Sequence, residues 1–213
     1  MNYNPNHGIH HMEQISPGYL RVLHAVPDAP NVDVYANDKL IIQNLPYGQY
    51  TKYMPMPEGT YKICLCATGT KDSPFCANML TITNTDIFTV AAVGTLSNIG
   101  FLAIPDANVS TSPSKAMVRF NHLSPNAPAV DITLPDGTIL FSNVSFKNLT
   151  PYIPVPASNY TLQVRLAGTP TVVLTVPNIN LYPNQFYTVY AIGLVGQSPE
   201  LEALLVLDGN VMM

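Results

Sequence analysis

The sequence predicts an all-β protein built as two tandem antiparallel β-sandwiches. Three observations lead to this prediction: the chain repeats itself once, each repeat divides into short runs rich in β-branched and aromatic residues, and no run has a sustained apolar period of 3.6 residues. Pro and Gly, 20 and 12 residues respectively, separate these runs and are typical of tight turns. We therefore expect strands joined by turns and no long helix.

The internal repeat is clearest in a Pro-rich motif near the start of each copy. Residues 21–34 read RVLHAVPDAPNVDV and residues 119–132 read RFNHLSPNAPAVDI, with Arg, His, Pro, Ala-Pro, Val and Asp in the same register. A second pair of segments, 46–70 and 146–169, matches in the same order with one gap. Matching order, motif and spacing indicate a duplicated module.

Each copy contains a series of predicted strands at intervals of roughly 8–12 residues, which is typical of an antiparallel sandwich. Each copy is also long enough to bury a core of its own. In the first copy the predicted strands are residues 19–26, 31–36, 39–43, 51–56, 60–67, 78–83, 88–95 and 99–104.

A polar stretch marks the boundary between the copies. Residues 106–116, DANVSTSPSKA, are rich in Ser, Pro and Asn, as interdomain linkers are. We expect a flexible tail at residues 1–17, a first sandwich at 18–105, this linker, and a second sandwich at 117–213.

The tail is polar and carries three of the five histidines, His7, His10 and His11. A short His-rich tract can bind metal, but in such a tail we expect the binding to be weak and incidental. The alternative is an arm that docks on a neighbouring molecule.

Composition narrows the range of partners. Charged residues make up 10% of the chain, against about 25% in a typical soluble protein. Nine scattered Lys and Arg residues and a net charge of −4 argue against nucleic acid as a partner. So little charge repulsion between copies favours self-association. No apolar stretch reaches 18 residues, and the first residues lack the cationic start and apolar core of a secretory signal, so we expect neither a membrane span nor a classical signal peptide.

The repeated motif supplies the candidate site. Arg21 and His24 lie three residues apart on the first predicted strand and therefore face opposite sides of its sheet. A buried Asp33 paired with Arg21, with His24 bonded to a turn carbonyl, would lock this corner of the module. Neither copy places a nucleophile or a second carboxylate beside the histidine, so a structural role is favoured over a catalytic or metal-binding one, and no cofactor is expected. The second copy carries the same residues as Arg119, His122 and Asp131.

The three cysteines form a second candidate site. Cys64 and Cys66 alternate with apolar residues on one predicted strand and align with polar residues of the second copy, so we expect both thiols on the solvent face. Cys76, near the start of the next strand, could form a disulfide with either of them and leave one thiol for an intermolecular cross-link. The alternatives are three reduced thiols or, without an evident fourth ligand, a zinc site.

The repeated motif resembles a bacterial family known as domain of unknown function 4397. The resemblance covers about residues 19–209 and implies immunoglobulin-like sandwiches, often in tandem and common in bacterial surface or secreted proteins, with no established catalytic residues. It is carried in the first copy by Arg21, His24, Pro27, Ala29, Pro30, Val32, Asp33, Pro55, Pro57 and Tyr61, and in the second by Arg119, His122, Pro125, Ala127, Pro128, Val130, Asp131, Pro154, Pro156 and Tyr160.

Three classes of function follow, in order of preference. The first is a non-catalytic structural or surface-assembly protein on a spore or cell surface, associating with itself through edge strands, the tail or the cysteines. The second is a module that binds a surface glycan or protein, for which Tyr47, Tyr50 and Tyr53 offer aromatic side chains. The third is an enzyme, for which no catalytic motif is present. A cytoplasmic location is the alternative to a surface one.

Overall fold

The computed structural model describes residues 16–107 and 113–209. Over these ranges the chain forms strands β1 to β16 and no helix. The histidine-containing tail segment and residues 108–112 of the predicted linker lie outside the described residues. Because the described chain contains no helix, it offers none that is long and apolar enough to cross a membrane.

The first copy forms eight strands, whose bounds are β1 (Gly18–His24), β2 (Val32–Ala36), β3 (Lys39–Leu45), β4 (Met54–Met56), β5 (Gly59–Ala67), β6 (Pro74–Ile82), β7 (Ile87–Thr95) and β8 (Asn98–Pro105). The second copy repeats this series as β9 (Lys115–His122), β10 (Val130–Thr133), β11 (Ile139–Val144), β12 (Ile153–Pro156), β13 (Ser158–Leu166), β14 (Val172–Leu181), β15 (Phe186–Ile192) and β16 (Glu202–Asp208).

Each copy folds into two four-stranded sheets, which confirms the predicted all-β fold with two sandwiches. Sheet A has the strand order β4-β1-β7-β8, and sheet B has the order β3-β2-β5-β6. Sheet C (β12-β9-β15-β16) and sheet D (β11-β10-β13-β14) repeat these orders in the second copy. One detail differs from the prediction: β1 runs parallel to β7 and β9 runs parallel to β15, so the sandwiches are not wholly antiparallel.

The largest boundary difference is at β6, which begins at Pro74 and not at residue 78. Read locally, the residues before 78 contain a proline and resemble a turn. Pro74 is the first residue of an edge strand, where its missing N–H removes no ladder hydrogen bond. A register shift between Leu65 and Cys66 of β5 accommodates the extra length.

The four sheets stack in the order B, A, C, D. One apolar cluster lies between sheets B and A, and a second lies between sheets C and D. A third cluster joins the outer faces of sheets A and C, and it contains Leu23, Ala25, Ala91, Val93, Ile104, Leu123, Tyr190, Ile192 and Val206. The central strands of sheets A and C are therefore buried on both faces, which explains their nearly continuous apolar sequences.

Candidate functional site at the contact between the sandwiches

The contact between sheets A and C brings together the charged residues of the repeated motif. Arg21 on β1 lies beside Thr89 on the parallel strand β7, and its Nε donates to Thr89 Oγ1 at 2.6 Å. In the second copy Arg119 on β9 lies beside Thr188 on β15, with the corresponding hydrogen bond at 2.7 Å. Both arginines project from the outer faces of their sheets, towards the other sandwich.

Each arginine forms its closer ion pair with an aspartate of the opposite copy, while the aspartate of its own copy lies farther away, Asp106 at 3.6 Å from Arg21 and Asp208 at 3.8 Å from Arg119. Arg21 Nη2 donates to Asp208 Oδ1, and Arg119 Nη2 donates to Asp106 Oδ1. The second amino group of each guanidinium donates to a backbone carbonyl of the opposite copy, Leu207 O at 2.8 Å for Arg21 and Pro105 O at 2.7 Å for Arg119. The two copies thus exchange equivalent contacts, as the halves of a twofold-symmetric dimer do.

Hydroxyl groups complete the coordination of the two carboxylates. Thr89 and Tyr53 both donate to Asp106 Oδ2, the tyrosine at 2.7 Å. Thr188 and Tyr152 donate to Asp208 Oδ2 in the same way, the tyrosine at 2.8 Å. The tyrosine rings also lie against the guanidinium groups, with ring centroids 4.6 Å from Arg21 and 4.4 Å from Arg119.

We call Arg21, Arg119, Asp106 and Asp208, together with these threonines and tyrosines, the interdomain charge cluster. Its four charged side chains are buried, and the two positive and two negative charges balance. Burial, and the nearby carboxylate of Asp208, raise the pKa of Asp106. Buried ion pairs contribute little net stability, but breaking one is costly, so the cluster fixes how the two sandwiches are placed.

Two polar residues beside the cluster have no counterpart in the first copy. Asn121 on β9 and Tyr190 on β15 are paired in register, and they stand where the first copy has Leu23 and Ala91. Neither the Asn121 amide nor the Tyr190 hydroxyl has a hydrogen-bond partner among the described residues, and both side chains are fully buried. Burial raises the pKa of Tyr190 to about 12.

The expected pairing of Arg21 with Asp33 is wrong. Asp33 accepts hydrogen bonds from the backbone N–H groups of Asn44 at 2.8 Å and Gly69 at 2.9 Å. The reason is geometric: Arg21 points out of sheet A and Asp33 points out of sheet B, so the whole thickness of the sandwich separates them. Burial alone would raise the pKa of Asp33, but the two N–H donors hold it below its usual value.

The corresponding pairing of Arg119 with Asp131 is wrong for the same reason. Asp131 accepts from the N–H groups of Asn143 at 2.7 Å and Gly168 at 2.8 Å. In each copy this aspartate joins the second strand to the irregular neighbouring strand, β3 or β11, and to the loop that follows β5 or β13.

The two motif histidines bond to turn carbonyls. His24 Nε2 donates to Pro30 O at 3.0 Å, and its Nδ1 accepts from the N–H of Val26. His122 Nε2 donates to Pro128 O at 3.1 Å. Burial lowers the pKa of both imidazoles, so both are neutral at physiological pH and hold the turn that follows the first strand of each copy.

The expectation that Cys64 and Cys66 face solvent is wrong, since both are buried. Cys64 lies between Tyr35 and Ala77 of the neighbouring strands, and the Cys66 thiol lies 3.6 Å from the carbonyl of Lys71 in the loop after β5. Periodicity gave the correct side of the sheet, but it does not show that neighbouring side chains and a loop cover that side.

The third cysteine lies on the other face of sheet B. Cys76 pairs in register with Leu65 and packs against the core, so it does not face Cys64 or Cys66 across the hairpin. All three thiols are free. Burial raises the pKa of Cys66, and that of Cys76 to about 11, which leaves little reactive thiolate at neutral pH. Cross-linking through these residues stays a prediction, which a non-reducing gel would test.

Sequence reasoning missed both aspartates of the charge cluster. Asp106 was assigned to the linker, and Asp208 was not singled out. A signal was present, since each follows the last strand's apolar run, as Ile104-Pro-Asp and as Val206-Leu-Asp. Extending the repeat alignment to the end of each copy would have found them.

The three tyrosines singled out in the first copy do not form one aromatic surface. Tyr53 belongs to the charge cluster, Tyr47 packs against the apolar cluster between sheets A and C, and Tyr50 is 42% exposed. Across residues 16–107 and 113–209, no three His, Cys, Asp or Glu side chains are grouped so that they could hold a metal ion.

Fold and site together define a class of protein: a tandem β-sandwich chain whose halves are joined face to face by reciprocal buried ion pairs. The family described as domain of unknown function (DUF4397) matches residues 18–133 and 134–211, so the chain belongs to this family. No curated protein matches the sequence.

Two solved structures show distant similarity. The Bacillus anthracis TIE protein is 12% identical with a TM-score of 0.26, and the match covers 88% of this chain and 34% of that one. The chain therefore spans about a third of that protein's length. A family 26 carbohydrate-binding module from Eubacterium rectale Amy13K, solved in complex with maltoheptaose, is 8% identical with a TM-score of 0.27, and the match covers 88% and 96% of the two chains.

Proposed function

We propose that this chain is a non-catalytic structural or surface-assembly protein of a bacterium, in which two locked sandwiches form one rigid building block. The observation that carries the proposal is that the two repeated arginines are buried between the two copies and bind acceptors of the protein itself. Arg21 and Arg119 are buried, are neutralised by aspartates of the opposite copy, and have their donors occupied by protein acceptors. They hold the chain together and offer no open position for a substrate.

The composition and family support placing this building block on a spore or cell surface. With 10% charged residues, the chain has little electrostatic repulsion to oppose dense packing of copies. The cytoplasm is the alternative compartment. Immunogold labelling of sections from the source bacterium, growing and sporulating, would distinguish the two.

Of the three routes to self-association considered from the sequence, two lie in the described part of the chain, and neither is favoured by the structure. The thiols of Cys64 and Cys66 are buried. Several edge strands carry features that discourage strand addition, since β4 is short and contains Pro55, β14 contains Pro177, and β3 is bulged, whereas β16 is a regular edge strand without proline. Contacts between sheet faces are a further route.

Electron microscopy of the purified full chain tests the assembly function. Ordered fibres, sheets or discrete multimeric particles at increasing concentration are the expected result. Dispersed single particles of 23.2 kDa under all conditions would contradict the proposal.

A binding module for a surface glycan or protein is the second candidate, and one observation favours it. An open cleft of about 200 Å³ lies between β14 and the loop before β16, lined by Val173, Leu174, Leu194, Leu201 and Glu200. The cleft combines apolar side chains with one acidic side chain, which suits a segment of a protein that carries an apolar side chain. A glycan array with the wild-type chain and a Leu174→Asp variant would test this: sugar binding lost in the variant would favour a glycan ligand, and no hit would count against one.

A further inference from the structure

We propose that the outer faces of sheets A and C also bind each other between molecules, joining the first sandwich of one molecule to the second sandwich of another, and that Tyr190 opposite Ala91 makes this contact specific for unlike sandwiches. The inference rests on the assembly function proposed above, and it names the surfaces through which copies of the chain would be joined.

The ion pairs show which strands face each other across the contact between sheets A and C. Arg21 on β1 binds Asp208 at the end of β16, so β1 faces β16. Arg119 on β9 binds Asp106, which directly follows β8, so β9 faces β8. In sheet A, β7 lies between β1 and β8, and in sheet C, β15 lies between β9 and β16. The central strands β7 and β15 therefore face each other.

The interdomain charge cluster does not distinguish the two sides of this contact. Its arginine, threonine, aspartate and tyrosine are the same in both copies and make equivalent contacts. Sheet A placed on the sheet A of a second molecule would form the same ion pairs, and so would two copies of sheet C. The restriction to unlike sheets therefore depends on the side chains that differ between the copies.

The central strands carry a large difference of this kind. Ala91 on β7 and Tyr190 on β15 are equivalent residues, because each is paired with the residue two positions after the motif arginine. Both are fully buried in the apolar cluster between the sheets. Tyr190 also interacts electrostatically with all four charged side chains of the charge cluster, which places it at the centre of the contact. One small and one large side chain thus share the space between β7 and β15.

A contact between like sheets would lose this fit. Two copies of sheet A would place Ala91 opposite Ala91 and leave a gap where the phenol ring lies, and such a gap is costly in a core. Two copies of sheet C would place Tyr190 opposite Tyr190, which overfills the same space. They would also bury two Asn121 amides, which have no partner among the described residues. We expect contacts between like sheets to be at least about a hundredfold weaker than the contact of sheet A with sheet C.

A second molecule offers each sheet the same partner that its own chain does. Because the two sandwiches belong to one chain, their effective concentration is on the order of millimolar, and the contact within the molecule prevails in dilute solution. At a similar local concentration of copies, as in a densely packed surface layer, exchange between molecules becomes competitive. Each exchanged contact leaves one sheet A and one sheet C free, so the contacts close into a dimer or repeat along an open series.

Two full-chain variants, each with one face blocked, test the inference. Val93 and Ile192 are buried in the contact at equivalent positions of β7 and β15, so Val93→Asp blocks sheet A and Ile192→Asp blocks sheet C. In an equimolar mixture, the intact sheet A of the Ile192→Asp variant should bind the intact sheet C of the Val93→Asp variant. Sedimentation equilibrium at about 1–100 µM should show the mass rising from 23.2 kDa towards twice that value.

The separate variants are the matched controls. Each alone has only one kind of intact face and should stay at 23.2 kDa. A mixture that remains monomeric would overturn the pairing between molecules, and a single variant that associates as strongly as the mixture would overturn its specificity. Circular dichroism and melting curves show whether both sandwiches are folded in each variant, since each has an apolar core of its own.

Exchanging the large and small side chains tests the assignment to Tyr190. Adding Tyr190→Ala to the Val93→Asp variant should weaken the mixed complex at least about a hundredfold. Adding Ala91→Tyr to the Ile192→Asp variant should then restore part of the affinity, because the ring returns to the same space from the other side. An unchanged affinity with Tyr190→Ala would overturn the assignment.

The wild type provides a test without substitutions. Refolding from urea at about 1 mM should give dimers of twice 23.2 kDa as well as monomers, whereas refolding at about 1 µM should give monomers only. Size-exclusion chromatography separates the two products. Monomers alone at the higher concentration would overturn the exchange.

Electron microscopy distinguishes failure of this inference from failure of the assembly function. Val93→Asp/Ile192→Asp blocks both faces, so assemblies that persist in this double variant would retain the assembly function and overturn the role of these faces in it. A mixed complex of the two single variants, without larger assemblies of the wild type, would retain the pair of faces and overturn the assembly function.

Discussion

At the residue level, the guanidinium groups of Arg21 and Arg119 connect the two copies, because each reaches out of its own sandwich into acceptors of the other. The planar guanidinium suits this position, since it donates to a carboxylate, a carbonyl and a hydroxyl at once. A lysine would supply the charge but could not reproduce this geometry.

Removing one partner of a buried pair should be costly. We expect Arg21→Met to lower the free energy of unfolding by about 3–5 kcal/mol, because Asp208 would remain buried with its charge only partly compensated. Urea denaturation followed by circular dichroism measures the change.

Two variants serve as controls for this experiment. Lys52→Met removes an exposed positive charge from the same sandwich and should change stability by less than about 0.5 kcal/mol. Arg21→Met combined with Asp208→Leu should recover part of the loss, because no isolated charge remains. Equal effects of Arg21→Met and Lys52→Met would contradict the structural role of the cluster.

The buried histidines predict a pH dependence. Burial lowers the pKa of His24 and His122 below 6.5 in the folded state, so the unfolded chain binds protons more readily. Stability should therefore be full above pH 6.5 and fall as pH drops from 6.5 towards the lower folded pKa values. Each unit of difference in pKa is worth about 1.4 kcal/mol per histidine. Melting temperatures measured from pH 7.5 to 5 test this.

The raised pKa of Asp106 has the opposite effect on stability, since it favours the folded state as the pH falls. Comparing variants separates the effect of the histidines on the pH dependence of stability from that of Asp106. His24→Gln combined with His122→Gln should flatten the loss of stability below pH 6.5. Replacing His7, His10 and His11 keeps both buried imidazoles and should leave the loss unchanged. If the melting temperature of the His24→Gln/His122→Gln variant falls with pH as steeply as that of the wild type, the buried histidines are not the cause of the loss.

Asn121 offers a stabilising substitution. Its amide is fully buried without a hydrogen-bond partner in the described chain, and the first copy has Leu23 at this position. We expect Asn121→Leu to raise the free energy of unfolding by about 1–2 kcal/mol, because an unsatisfied polar group is removed. Differential scanning fluorimetry would measure the gain, and Tyr190→Phe, which removes only a hydroxyl, is the matched comparison. A lower melting temperature would mean that the amide has a partner.

At the level of the element, equivalent strands of the two copies place side chains of different size in their cores. A small cavity of about 10 Å³ lies in the second sandwich between Phe120, Phe141, Val155 and Leu162. Val155 on β12 has the same pairing register as Met56 on β4 of the first copy. Met56 is longer than valine and is buried in the core of the first sandwich.

Exchanging these two residues tests the packing difference. Val155→Met should stabilise the chain by about 0.5–1 kcal/mol, since flexible methionine fills irregular gaps in a core. Met56→Val should destabilise it by about 1 kcal/mol, because it removes buried atoms from a filled core. Chemical denaturation of both variants gives the comparison, and destabilisation by Val155→Met would indicate overpacking.

At the level of the whole molecule, the four stacked sheets make the two sandwiches one unit. The apolar cluster and the charge cluster between sheets A and C would be exposed to water if the sandwiches separated. The stability of each sandwich therefore depends on the presence of the other.

This dependence predicts a single unfolding transition. We expect calorimetry of the wild type to give equal calorimetric and van't Hoff enthalpies for the full chain. Leu23→Asp places a charge in the contact between the sheets and should split the transition in two, because the sandwiches separate to hydrate it. Leu40→Asp, on the far side of the same sandwich, should keep one transition at the low concentration used. Two transitions in the wild type would contradict the cooperative unit.

Much of the fold was predictable from local pattern. Period-2 alternation, turn residues and the repeat of RVLHAVPDAP as RFNHLSPNAP gave the strands and the duplication, because these depend on neighbours in sequence. The hydrogen bond from His24 to the turn at Pro30 was predictable for the same reason, since six residues separate them.

The sequence by itself therefore determined two β-sandwiches, their order along the chain and the turns that hold each one. Only the tertiary structure decided which partners Arg21, Asp33 and Cys64 have. The partner of Arg21 is Asp208, at the other end of the chain, and it comes close only because sheet A packs against sheet C. Local pattern specifies which side of a strand a residue faces, but what covers that side depends on how the sheets stack.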